Sequence, residues 1–91
     1  MALTKAMAAD YIKENIRINC ICPGTTYTES LQERLNAFDD TDKATQDFLN
    51  RQPLGRFGKV EEIASAILYV SSEDAGFMHG SILVIDGGMS I

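Results

Sequence analysis

Between Ile16 and Thr28 the chain reads I-R-I-N-C-I-C-P-G-T-T-Y-T, and this stretch limits the possible folds more than any other. Ile16, Ile18, Cys20 and Cys22 alternate with Arg17, Asn19 and Ile21, the period of two that a sheet imposes. Pro23 lacks the N–H that a ladder needs and Gly24 permits a sharp change of direction, so the strand is expected to stop there. Three threonines among the next four residues make a polar, tightly turned loop. In open α/β sheets ligands sit just beyond the carboxyl ends of strands, so a functional loop is expected here. Ile82 to Ile85 is a continuous apolar run of the kind found in buried parallel strands, closed by the turn Asp86-Gly87-Gly88. About sixty residues with helical patterns lie between the two runs. The pair therefore reads as an α/β unit of β-α-β type, parallel and right-handed by the general rule. Two strands cannot cover both faces of their own sheet, and obligate association with itself or with a missing partner is expected.

Four helices are expected. Ala2 to about Glu14 places Leu3, Met7, Tyr11 and Ile12 at helical spacing among good helix formers. Glu29 to about Phe38 sets Leu31, Leu35 and Phe38 on one side; Asp39-Asp40-Thr41-Asp42 then breaks it, because these side chains bond their own backbone. A short helix from Lys43 to Asn50 carries Ala44, Phe48 and Leu49 and ends at Gln52-Pro53-Leu54-Gly55. This excursion has few apolar side chains to hold it and is expected to be the most mobile part of the chain. Glu61 to Ser71 is the most apolar helix, with two glutamates in its first turn to complement the dipole. Ile63, Ala64, Ala66, Ile67, Leu68 and Val70 cover more than one stripe, which predicts burial on two sides.

Ninety-one residues allow one small domain, and 45% hydrophobic residues without low-complexity tracts argue against disorder. A net charge of −5 opposes a nucleic-acid groove or an anionic-membrane surface as partner. No apolar run approaches the roughly 20 residues of a membrane span, and the first residues read as an amphipathic helix instead of a signal peptide. Cys20 and Cys22 share one strand face without metal-site spacing or a nearby histidine, so apolar-like packing is the expected role. Two unpaired thiols fit a reducing, cytoplasmic setting.

Asn19-x-x-x-Pro23-Gly24-x-x-x-Thr28 resembles the strand-six signature of the short-chain dehydrogenase/reductase family. L-G-R-F-G-K-V-E-E-I-A from Leu54 and G-S-I-L-V-I-D-G-G from Gly80 follow in that family's order and spacing. The resemblance covers essentially the whole chain and implies the last third of such an enzyme: the C-terminal β-α-β part of a Rossmann-type doubly wound sheet, with residues 29–52 as a substrate lid. No G-x-x-x-G-x-G is present, and Tyr11, Tyr27 and Tyr69 are followed four residues on by Asn15, Leu31 and Glu73, so Y-x-x-x-K is absent as well. By the resemblance, Met1 falls a few residues after the catalytic lysine. The implied enzyme uses NAD or NADP to interconvert a secondary alcohol, such as a hydroxy acid, and a ketone, usually as a homo-oligomer. The 91 residues alone are expected to be inactive.

The family assigns the loop after Pro23 and Gly24 to the nicotinamide end of the cofactor, with backbone groups from Thr26 and a hydroxyl from Thr28. Such a role is physically sound, since a carboxamide needs one donor and one acceptor. The alternative for Thr25, Thr26 and Thr28 is turn formation alone. S-L-Q-E-R-L from Ser30 and D-F-L-N-R-Q from Asp47 are similar to the cytosolic type 2 3-hydroxybutyrate dehydrogenase branch. There Arg34 and Arg51 would meet a substrate carboxylate, whose shape a guanidinium fork matches, with Gln32 assisting. The alternative is an ion pair with Glu33 or Asp47. Asn19 is expected to bond neighbouring backbone, Arg56 to be structural, Asp86 to form a turn, and His79 to have no catalytic part. A sugar or polyol reductase of the same family, and a non-catalytic oligomerisation or binding module, are the rival readings.

Overall fold

In the computed structural model, which describes residues 1–91, two short strands, β1 (Cys20–Pro23) and β2 (Ile82–Ile85), pair with each other. The N–H of Cys20 bonds the carbonyl of Ser81 and that of Gly24 bonds the carbonyl of Ile85, each at 2.9 Å. Four residues forward on one strand match four forward on the other, so the pair is parallel. Its period also explains why Pro23 lies inside β1 where a stop was expected. Cys20 and Gly24 aim their N–H groups at β2, which puts the nitrogen of Pro23 on the opposite edge, where a missing donor breaks no bond. The strand is shorter than its alternation suggests. Ile16 to Asn19 lie outside it, with the Arg17 side chain committed to carbonyls at helix ends and Asn19 to Met78 and Ser81.

The chain divides into two compact units, Met1–Cys22 with Ala64–Val84 and Pro23–Ile63 with Ile85–Ile91. In the first unit α1 (Ala2–Tyr11) runs into a 3-10 turn, Ile12–Glu14, where a longer helix was expected. Asn15 ends it in the left-handed region (φ 61°), its N–H on the carbonyl of Ile12. Only Ala8 of α1 is buried, while Leu3 is 70% exposed. Ala8 is within 3.4 Å of where a Cβ on Gly80 would stand, and Lys5 Nζ donates to the Gly80 carbonyl at 2.9 Å. Arg17 donates to the carbonyls of Val70, Ala75 and Ser72 at 2.7–2.9 Å. One guanidinium thus satisfies the end of a helix and of the 3-10 turn that follows it. Asn19 behaves as expected, donating to the Met78 carbonyl and accepting from the Ser81 N–H.

In the second unit α2 (Glu29–Asn36) and α3 (Thr41–Leu49) carry the buried cluster Leu31, Leu35, Ala44 and Phe48, with Phe57 packed against it. The segment expected to be poorly held has a core of its own. Thr28 caps α2 by accepting the Leu31 N–H, and Asp40 caps α3 by accepting the Lys43 N–H, so α3 starts two residues before the predicted Lys43. The apolar helix α4 (Val60–Val70) buries none of its residues in this chain, and Leu68 is 73% exposed. The two-sided burial expected of this helix is not seen: its apolar residues cover more than one stripe, but Ile67, Leu68 and Tyr69 face solvent.

Candidate functional site

The loop that follows β1 is held from within by one buried side chain. Gln52, at 3% exposure, is the buried polar residue of the chain. Its Oε1 accepts the Thr25 N–H at 2.6 Å and its Nε2 donates to the Arg56 carbonyl at 2.7 Å. Both ends of the amide are satisfied, as burial demands. Gly24 is required for space: a Cβ there would stand 2.5 Å from Gln52 Oε1 and 2.7 Å from the Asp86 Cα. Its φ is not positive, so the conformational freedom first expected of it is not what the loop uses.

Beyond Gly24 the loop forms an isolated parallel bridge, Thr26 to Gly58. Gly58 donates to the Thr25 carbonyl and accepts from the Tyr27 N–H, both at 2.9 Å. In a parallel bridge this pattern turns the N–H and C=O of Thr26 away from Gly58. Neither group takes part in the loop's hydrogen bonds. The result is a half-buried donor–acceptor pair on one residue, the complement of a carboxamide. The Thr26 hydroxyl is turned back onto the Gly24 carbonyl at 3.2 Å. Thr28 Oγ1 accepts the Leu31 N–H at 3.1 Å, which leaves its own hydrogen to donate elsewhere.

An open cavity of about 460 Å³ brings most of the predicted residues together. Pro23, Gly24, Thr26, Thr28, Arg34 and Arg51 all line it. Gln32 does not; Leu31 beside it faces the core and the helical step turns Gln32 outward to solvent. The ion pairs of Arg34 or Arg51 with Glu33 or Asp47 are not formed, and the salt bridge present joins Arg56 to Glu62. Both cavity guanidiniums instead stand by the Phe48 ring, Arg51 Cζ at 4.5 Å and Arg34 Cζ at 5.6 Å from its centroid. Two cations facing one cavity without a carboxylate partner suit an anionic ligand. Phe48, Gln52 and Gly58 were not singled out as site residues. Phe48 reads as core, and the roles of the other two depend on partners distant in sequence.

Two flanking features are structural. Arg56 donates to both carboxylate oxygens of Glu62 at 2.8 and 3.1 Å. Those bonds and the Lys59 N–H lower the Glu62 carboxyl to a pKa of about 2. Asp86 forms the expected turn, accepting from the N–H groups of Gly88 and Ser90 and from the Ser90 hydroxyl. The hydroxyl bond is the main reason its pKa is lowered.

Residues 1–90 match a family model described as enoyl-(acyl carrier protein) reductase. The chain is 50% identical over 91 residues to dehydrogenase/reductase SDR family member 6 of Rattus norvegicus, spanning all of this chain and 37% of the rat protein. It is similar in structure to L-sorbose reductase of Gluconobacter frateurii complexed with NADPH and L-sorbose (TM-score 0.86, 32% identity, 98% of this chain and 36% of that one). It is also similar to 4-hydroxyisoleucine dehydrogenase complexed with NADH and succinate (TM-score 0.72, 36% identity, 98% and 34%). The chain therefore spans little more than a third of the proteins it matches. Its two parallel strands and four helices are those of a Rossmann-type segment, and the chain belongs to the short-chain dehydrogenase/reductase family.

Proposed function

We propose that this chain forms the nicotinamide-side loop and substrate lid of an NAD- or NADP-dependent oxidoreductase that interconverts a hydroxy acid and its ketone. The carrying observation is one cavity lined by Thr26, whose N–H and C=O are unspent, and by two arginines without carboxylate partners. A bound nicotinamide cofactor supplies or accepts the hydride in such chemistry. Thr26 would orient the carboxamide through its N–H and C=O, and Thr28 would add a hydroxyl hydrogen. Arg34 and Arg51 would hold a carboxylate so that its alcohol or keto carbon faces the loop. The two solved relatives contain NADPH and NADH, and one of them holds a dicarboxylate, which supports this reading. The branch that acts on 3-hydroxybutyrate is the substrate class favoured, in keeping with the Arg34 and Arg51 phrases. Without G-x-x-x-G-x-G and Y-x-x-x-K, the 91 residues alone should not turn over substrate.

NMR titration of the labelled chain tests the site. 3-Hydroxybutyrate should move the Arg34 and Arg51 side-chain signals and nicotinamide the Thr26 amide. Arg34→Met with Arg51→Met should abolish the first effect and spare the second. An equal response to uncharged butan-2-ol would overturn the carboxylate assignment. A sugar or polyol substrate is the second reading, supported by the likeness to L-sorbose reductase, and L-sorbose in the same titration separates the two. The exposed Ile67, Leu68 and Tyr69 of α4 support association into a homo-oligomer, which light scattering would reveal.

A further inference from the structure

Cys20 and Cys22 remain outside the site described above. They lie two residues apart on β1, so their side chains leave the same face of the strand, and both are free and half-buried. Their sulfurs stand 3.7 Å apart. The strand therefore holds the two sulfurs in contact, near enough for one thiophilic atom to reach both with a small closing movement. Cys20 is fixed by its N–H bond to the Ser81 carbonyl.

The rest of the coordination sphere decides what that atom can be. No third His, Cys, Asp or Glu joins the pair to make a metal-binding group. A structural zinc ion needs four protein ligands, whereas a monosubstituted trivalent arsenical needs two, because its third bond is already to carbon. We propose that Cys20 and Cys22 form a dithiol site that captures one monosubstituted trivalent arsenical. The step balances without an oxidant. With an organoarsenic(III) oxide, two S–H bonds and the arsenic–oxygen bond break, two As–S bonds form, and the oxygen leaves with both protons as water. Arsenic stays trivalent.

The test uses the whole chain and phenylarsine oxide, followed by intact mass, free-thiol titration and thermal melting. A single adduct should form with loss of two thiols, and Tm should rise, because the folded strand presents the pair. The adduct should survive an excess of a monothiol in the parent chain and be lost under the same conditions in Cys20→Ser and in Cys22→Ser. Apparent affinity should be about tenfold higher for folded chain than for urea-unfolded chain, the effect of holding both sulfurs in place beforehand. A monothiol-resistant adduct in either serine variant would overturn the proposal. So would a lowered Tm, equal affinity of folded and unfolded chain, or loss of the thiols as a disulfide without arsenic.

Discussion

Replacing Gln52 with leucine should loosen the loop after β1 more than any exposed substitution in the same unit. The glutamine is 3% exposed and its amide joins Thr25 N–H to the Arg56 carbonyl at 2.6 and 2.7 Å. Leucine fills similar space, excludes water and bonds neither group. A buried polar group left unpaired costs about 1–3 kcal/mol, so two partners together predict a loss of about 2–6 kcal/mol. Gln52→Glu keeps the acceptor for Thr25 but turns an acceptor towards the Arg56 carbonyl, and should retain only part of the stability. Urea unfolding followed by circular dichroism reads the loss, with amide exchange at Thr25 as the local probe. Gln32→Leu, on the solvent side of α2, is the control and should stay within about 0.5 kcal/mol of the parent. If Gln52→Leu matched that control, or left Thr25 exchange unchanged, the clamp would not hold the loop.

Other substitutions test neighbouring parts of the same reasoning. Arg17→Met should destabilise the first unit by about 2–3 kcal/mol in the same assay, since one charged donor group serves three carbonyls; Arg17→Lys should recover part of this. Gly24→Ala should cost about 1–3 kcal/mol, because its methyl meets the Asp86 backbone, which cannot rotate away. Glu62 has a folded pKa of about 2, below its unfolded value, so its contribution is complete above that unfolded value and fades as pH falls towards 2. Acid titration of stability should show this slope in the parent and a shallower one in Glu62→Gln.

How much could be read from the residues depended on how far apart the partners lie. Thr28 and Asp40 announce their helices because a cap bonds three residues ahead, and the α2 and α3 stripes announce the cluster of Leu31, Leu35, Ala44 and Phe48. Six of the seven predicted site residues meet in one cavity, because the loop and lid phrases are each local. Gln32 lies apart from them because Leu31 beside it faces the core, which leaves Gln32 on the solvent side of α2. Gln52 and Arg17 were missed because Thr25 lies 27 residues from Gln52 and the carbonyls that Arg17 serves lie 53 or more away, where no spacing rule reaches. The length of β1 was overestimated because alternation continues through Arg17 and Asn19, whose side chains are spent on helix-end and loop carbonyls.

Thr28 Oγ1 carries a consequence for how α2 and the loop communicate. The residue whose hydroxyl starts α2 also lines the cavity, so a ligand that draws on the Thr28 hydroxyl acts on the first turn of a helix. Occupancy and helix nucleation then become one linked equilibrium, and α2 responds to the loop without a separate hinge. A serine at this position would preserve that linkage, while a valine would sever it even if the cavity kept its shape.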